Sequence, residues 1–326
     1  MKHHQYNPNY DFVQAPQEFN KYSEKNFLQF CLGATLYMPG NKKITQSILN
    51  NKIPGLTSMV MCFEDAIDGK DLPESEKNVL NVLEKFSEHL KTGHISENQL
   101  PLFFVRVRNI DQFISFTKKL SENHVKHITG FVFPKFNSEN GYLYLDHLKE
   151  LNNEFGEILY GMPILEGVEI AYKETRDYEL NAIRTLLKPY RDLILNIRVG
   201  ATDLSSAFGV RRGIDYSIYD ILMVRDCLSD ILNYLGRSED GYVLSAPVWE
   251  YFLADKGMKF ESAADHGIHE SVLKRNLIVN QAVDGLLREV ILDKANGFVG
   301  KTIIHPSHLK YVNGIQAVTS EEYEDA

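Results

Sequence analysis

Short runs of mostly apolar residues recur eight times along the chain. They are LGATLYMP (32–39), TSMVMCFE (57–64), LFFVRVR (102–108) and GFVFPK (130–135), then ILYGMPILE (158–166), LILNIRVGATD (193–203), YVLSAPV (242–248) and GFVGKTIIHP (297–306). Nearly continuous apolar strands belong to a parallel sheet covered on both faces. The segments between them change to a helical period. In PESEKNVLNVLEKFSEHLKTG, Val79, Leu83, Phe86 and Leu90 return at helical spacing, Ser75 is placed to cap the start and Gly93 to close the end. YSIYDILMVRDCLSDILNYLG repeats the scheme with Ile218, Leu222 and Ile231, ending at Gly236, and SVLKRNLIVNQAVDGLLREVIL (271–292) does so again.

Eight strands separated by helices predict an α/β fold, a (β/α)8 TIM barrel over residues 31–315. An open doubly wound sheet is the alternative, but no glycine-rich fingerprint follows the first strand. Residues 1–30 carry Tyr6, Tyr10, Phe12, Phe19, Tyr22, Phe27 and Phe30. So many aromatics argue against disorder, and this extension is expected to pack on the barrel or on a neighbouring subunit. Residues 316–326 form an acidic tail expected to fray.

Composition narrows the function. The 326 residues carry a net charge of −9 with a pI near 5.7, which argues against nucleic acid and anionic membranes as partners. The N-terminus has no apolar leader, and no apolar run approaches the roughly 20 residues of a bilayer span. The isolated cysteines Cys31, Cys62 and Cys227 suit a reducing, cytoplasmic setting, with Cys31 and Cys62 as small core residues.

Chemistry in such a barrel sits where the strands end. Those ends carry Pro39–Asn41, Glu64 and Asp65, Arg106, Arg108 and Asn109, Lys135, Glu166, Asp203, Trp249–Glu250 and His305. Each has a plainer reading. Glu166 and Asp203 could serve a helix N-terminus. Arg106 and Arg108 share one face of a strand and could pair structurally with Glu64 or Asp65. Lys135 and His305 could be satisfied structural groups. His3, His4, His94, His124 and His127 lack ligand spacing and read as surface residues, and Lys42, Lys43, Arg211 and Arg212 read as solvated charges. Together, though, carboxylates at one rim suit Mg2+, which takes oxygen ligands, and nearby arginines suit a substrate carboxylate.

LYMPGN, CFEDAID, FVRVRN, FVFPK, MPILEG, VGATDLSSAFG and GFVGKTIIHPSHLKYVN occur in the order and spacing of the citrate lyase β-subunit-like proteins. The chain resembles this group, within the HpcH/HpaI aldolase/citrate lyase superfamily, over residues 32–315, with a particular likeness to the branch found in tellurite-resistance gene clusters. The resemblance implies a Mg2+-dependent carbon–carbon lyase, assembled as a trimer or hexamer. It implies Glu166 and Asp203 as metal ligands and Arg106, Glu64 and Asp65 as the catalytic group. Asn41, Arg106, Arg108, Lys135 and Pro247 would bind substrate. The chain departs from the pattern in two places. RVRN stands where the family has RVN, adding Arg108. Many acyl-CoA lyases also continue into a C-terminal lid helix with a catalytic acid, whereas this sequence ends at Ala326, which weakens the expectation of a CoA thioester substrate. The expected reaction is retro-aldol or retro-Claisen cleavage, or the reverse condensation, of a small 2-oxo or 3-hydroxy acid or its acyl thioester. The alternatives are a CoA-independent pyruvate-enolate aldolase and a non-catalytic metabolite-binding barrel acting in an operon-encoded complex.

Overall fold

A computed structural model describes residues 12–65, 67–252 and 281–325. Tyr6, Tyr10, His3, His4 and the first ten residues of the 271–292 helical pattern lie outside the described residues. Eight strands form one parallel sheet: β1 (Ala34–Pro39), β2 (Ser58–Cys62), β3 (Leu102–Arg106), β4 (Gly130–Phe133), β5 (Tyr160–Leu165), β6 (Ile197–Val199), β7 (Leu244–Ser245) and β8 (Lys301–Ile303). Their order is β7-β6-β5-β4-β3-β2-β1-β8. A parallel bridge between Ala246 and Lys301 joins the two edges and closes the barrel.

The alternation of the strands sorts their side chains. Met59, Met61, Phe103, Val105, Phe131 and Phe133 pack outward with Val79, Val82, Leu83 and Phe86 of helix Leu72–Lys91. Val60, Phe104, Val132, Met162 and Ile164 face the opposite way, into the barrel, where they cluster with Phe19, Leu28, Cys31 and Leu32. The segment before β1 therefore plugs the N-terminal end of the barrel with apolar side chains. Neighbouring strands approach closely at Gly130, where a Cβ would stand 2.0 Å from the Tyr160 carbonyl oxygen.

Every strand is shorter than its apolar run. Residues 193–203 supply only three strand residues, because Lys188–Leu193 winds into a 3-10 helix and Ala201–Ser206 into an α-helix. Asp203 thus stands on a helix rather than on a strand end. Helix Leu72–Lys91 begins three residues before Ser75, with Pro73 in its first turn, so Ser75 is no cap; its hydroxyl donates back to the Asp71 carbonyl. Gly93 does close it, at φ +70. The helix expected from Tyr216 starts only at Leu222, since Ser217 and Asp220 cap a separate 3-10 turn. The acidic tail holds a short helix, Ser320–Glu324, capped by Thr319. No helix among the described residues is long and apolar enough to cross a membrane.

Candidate active site

The end of β2 answers what two adjacent carboxylates do after an apolar strand. Cys62 is level with Arg106 of β3, and the Phe63 N–H donates to the Arg106 carbonyl, holding the chain in register one residue longer. Phe63 turns outward to the core, and Glu64 turns toward Arg106. Arg106 is 5% exposed. Its Nη2 lies 2.5 Å from Glu64 Oε2 and donates to Glu166 Oε1 at 3.2 Å, while Nη1 donates to Asp65. Burial alone would weaken the guanidinium's charge, but Glu166, Cys62, Glu64 and Asp65 hold its pKa above the ordinary value.

Glu166 follows β5 and is buried. Its Oε1 also accepts the Lys135 N–H at 3.0 Å. That contact requires Lys135 to adopt φ +48, a left-handed conformation unusual for a side chain with a Cβ. Its Oε2 lies against Gly200, where an added Cβ would stand 2.1 Å away. Glycine at that position leaves room for the carboxylate. Burial raises the Glu166 pKa to about 7; Arg106 works against this, and Asp203 and Glu64 reinforce it. Burial also raises the Glu64 pKa, with Asp203 adding to the rise. Asp203 therefore stands at the same rim as Glu64 and Glu166. Asp203 is exposed, in the first turn of Ala201–Ser206.

A divalent cation fits this set. Crowded carboxylates, one of them deeply buried, are relieved by positive charge, and Mg2+ commonly takes only one or two protein carboxylates. Among the described residues no three His, Cys, Asp or Glu side chains converge on one metal-sized site, so water and substrate would complete the coordination.

The remaining expected residues are scattered more widely. Lys135 Nζ lies 3.5 Å from Glu64 Oε1 but is largely exposed. Arg108 is half-buried, and its Nη1 is buried without a hydrogen-bond partner. Asn41 is exposed on a turn that Asn78 pins through the Gly40 and Lys42 carbonyls. Pro247 is buried just beyond β7. Asn109 caps helix Ile110–Thr117. His305 stacks on Phe252, with centroids 4.8 Å apart.

Some sequence expectations are overturned. Arg212 is buried, not solvated. It pairs with Glu250 and Glu289, donates to the Val248 carbonyl at 2.6 Å and lies over the Trp249 ring. Trp249–Glu250 is thus a brace beside the site, and Glu250 accepts the Thr202 hydroxyl at 3.1 Å, one residue from Asp203. His124 is buried beside Glu84, and His127 is half-buried against the Ser87 hydroxyl. Sequence reasoning misread Arg212 and passed over Gly200 and Arg198. Only Arg198 carried a signal, as a charge inside an apolar strand.

Fold and rim define a TIM barrel whose strand ends gather acids around one arginine. The chain belongs to the carbon–carbon bond lyase family of the TIM-barrel fold, which it matches over residues 26–326. A search of curated proteins found no match. Among solved structures, RipC from Yersinia pestis superposes with a TM-score of 0.54 at 13% identity, over 90% of this chain and 99% of that one. The CitE protein of Mycobacterium tuberculosis, with magnesium and acetoacetate, superposes with a TM-score of 0.52 at 16% identity, over 91% and 96%. The citrate lyase β subunit from M. tuberculosis, with oxaloacetate and magnesium, gives 0.50 at 15%, over 89% and 98%. These likenesses agree with the motif resemblance and share the barrel.

Proposed function

We propose that this rim binds a small 2-oxo or 3-hydroxy carboxylate and makes or breaks the carbon–carbon bond between the carbons α and β to its carbonyl or carboxyl group. One observation carries the reading: a nearly buried arginine, Arg106, is held by Glu64, Asp65 and Glu166 where a second exposed acid, Asp203, acts on the same group. Glu166 and Asp203 would hold Mg2+. When bound, the cation supplies Lewis-acid polarisation of the substrate's carbonyl oxygen.

The chain's own groups do the rest. Arg106 Nε and Arg108 Nη1 are buried donors without partners, suited to a substrate carboxylate. The Arg106 charge also stabilises negative charge developing on the neighbouring oxygen as the bond breaks. Glu64 and Asp65 fix the guanidinium and are placed to orient water at the rim. Lys135 uses its backbone N–H to hold Glu166 in place. Related barrels solved with magnesium and oxaloacetate or acetoacetate support this choice of ligand class.

Proton exchange tests it. Pyruvate incubated with the protein and Mg2+ in D2O should lose its methyl 1H NMR signal in a protein- and metal-dependent way, and Arg106→Met should stop the exchange. Absence of exchange or cleavage with pyruvate, oxaloacetate and their aldol adducts would overturn the lyase reading.

A further inference from the structure

Asp203 is exposed, and among the described residues its carboxylate has no hydrogen-bond or ion-pair partner. Its place at the rim is therefore set by the short helix that carries it, Ala201–Ser206. Its neighbours push the other way. Asp203 is a like charge to Glu166 and Glu64 and adds to the rise in pKa of both, so repulsion favours an outward movement until a cation arrives. Something outside the site has to hold that turn.

The holding contact comes from the segment after β7. The Thr202 hydroxyl donates to Glu250 Oε1 at 3.1 Å. The other oxygen of Glu250, Oε2, accepts from Arg212, through Nε at 2.9 Å and through Nη2. This fork fixes the plane of the carboxylate and leaves Oε1 for Thr202. Arg212 cannot follow Glu250 outward. It is buried, its Nη1 pairs with Glu289, and its guanidinium lies 4.6 Å from the centroid of the Trp249 ring. Glu289 is anchored in turn by Lys301 Nζ of β8 at 2.8 Å and by the Ile218 N–H at 2.8 Å, and Lys301 also holds Asp293 at 2.8 Å. Lys301, Glu289 and Asp293 are fully buried. A continuous run of charge-assisted contacts thus leads from the barrel wall to the residue beside Asp203. A buried network whose members are all paired is rigid.

We propose that Glu250, held by Arg212, is a positioning residue for the cation site. Through the Thr202 hydroxyl it fixes the helical turn that bears Asp203, and so sets how tightly the rim binds a divalent ion. The inference rests on Glu166 and Asp203 being the cation ligands, as read above.

Titration with Mn2+, with the free ion followed by electron paramagnetic resonance, tests it. Thr202→Val keeps the branched Cβ and the charge of the site and removes only the hydroxyl. It should melt close to the wild type, followed by the fluorescence of Trp249, the one tryptophan of the chain. It should bind Mn2+ about three- to tenfold more weakly, the value of one hydrogen bond. Thr202→Ser, which keeps the hydroxyl, should bind as the wild type does. Glu250→Ala should also weaken binding, and adding Thr202→Val to it should change nothing further, because both act through one contact. Where Glu250→Ala does not fold, the two Thr202 variants decide alone. Wild-type Mn2+ affinity in Thr202→Val, or an equal weakening in Thr202→Ser, overturns the positioning role and leaves the rim reading standing. Additive losses in the double variant overturn it as well. If the wild type does not bind Mn2+, or binds it equally well after Asp203→Asn, the rim reading falls and the positioning role falls with it.

Discussion

Replacing Gly200 with alanine perturbs the site through one methyl group. The Gly200 backbone has φ −97, which alanine adopts without strain. The conflict is purely spatial, since the new Cβ would stand 2.1 Å from Glu166 Oε2 and 2.6 Å from its Cβ. Ordinary contact needs more than an ångström of extra room, and Gly200 N is itself tied to the Leu165 carbonyl at 3.1 Å. The carboxylate must therefore swing away, and the backbone that carries the crowded Glu166 Cβ must shift with it. Moving it puts at risk the hydrogen bonds from Lys135 N–H and Arg106 Nη2, charge-assisted contacts worth about 1.5–3 kcal/mol each. A displacement of about 1 Å at a reacting centre costs on the order of 100-fold in rate. Gly200→Ala should fold, melt at a lower temperature, and lose Mg2+-dependent pyruvate binding by about 10- to 100-fold in calorimetry. Wild-type affinity in the folded variant would show that Glu166 does not take part in binding.

Other expectations concern stability and pH. Arg212→Met leaves Glu250 without its cation and Glu289 with Lys301 alone, and should cost about 3 kcal/mol in denaturant unfolding; a change below about 1 kcal/mol would mean the brace is dispensable. Leu28→Ala, at a fully buried position of the N-terminal plug, should cost about 2–5 kcal/mol, and a neutral result would show that the plug is not part of the barrel core. Burial holds His127 and His308 at pKa values of about 4, below the ordinary 6.5. The unfolded chain binds more protons between those values, so this contribution to stability is complete above about pH 6.5 and is lost as pH falls toward 4. Buried Asp293, raised to about 6, works in the opposite direction. The readout is therefore a difference: the drop in melting temperature from neutral pH to about pH 5 should be smaller in His308→Gln than in the wild type. An equal drop in both would refute the assignment.

The barrel was legible because parallel strands buried on two faces leave continuous apolar runs. Strand ends were not, because the apolar texture continues past them: Val107 is fully buried beyond the last residue of β3, and Ile194 and Leu195 are buried ahead of β6. The meeting of Arg106 with Glu64 followed from strand alternation and the level alignment of β2 with β3. Arg212 could not be read the same way, since Glu250 and Glu289 lie 38 and 77 positions away and neither belongs to a strand. His127 meets the hydroxyl of Ser87, 40 residues earlier on helix Leu72–Lys91, a pairing that no local spacing reveals. Arg198 was visible as an odd charge in NIRVG, but only the hydroxyls of β1 and β8 on either side of it reveal its surroundings.

In the proposed site, Glu166 and Asp203 grip one divalent ion beside Arg106. Anomalous diffraction from crystals soaked with Mn2+ and pyruvate measures this directly. A single strong peak within ligating distance of both carboxylates, lost in crystals of Asp203→Asn, is the expected result. A peak elsewhere, or one unchanged in the variant, would contradict it.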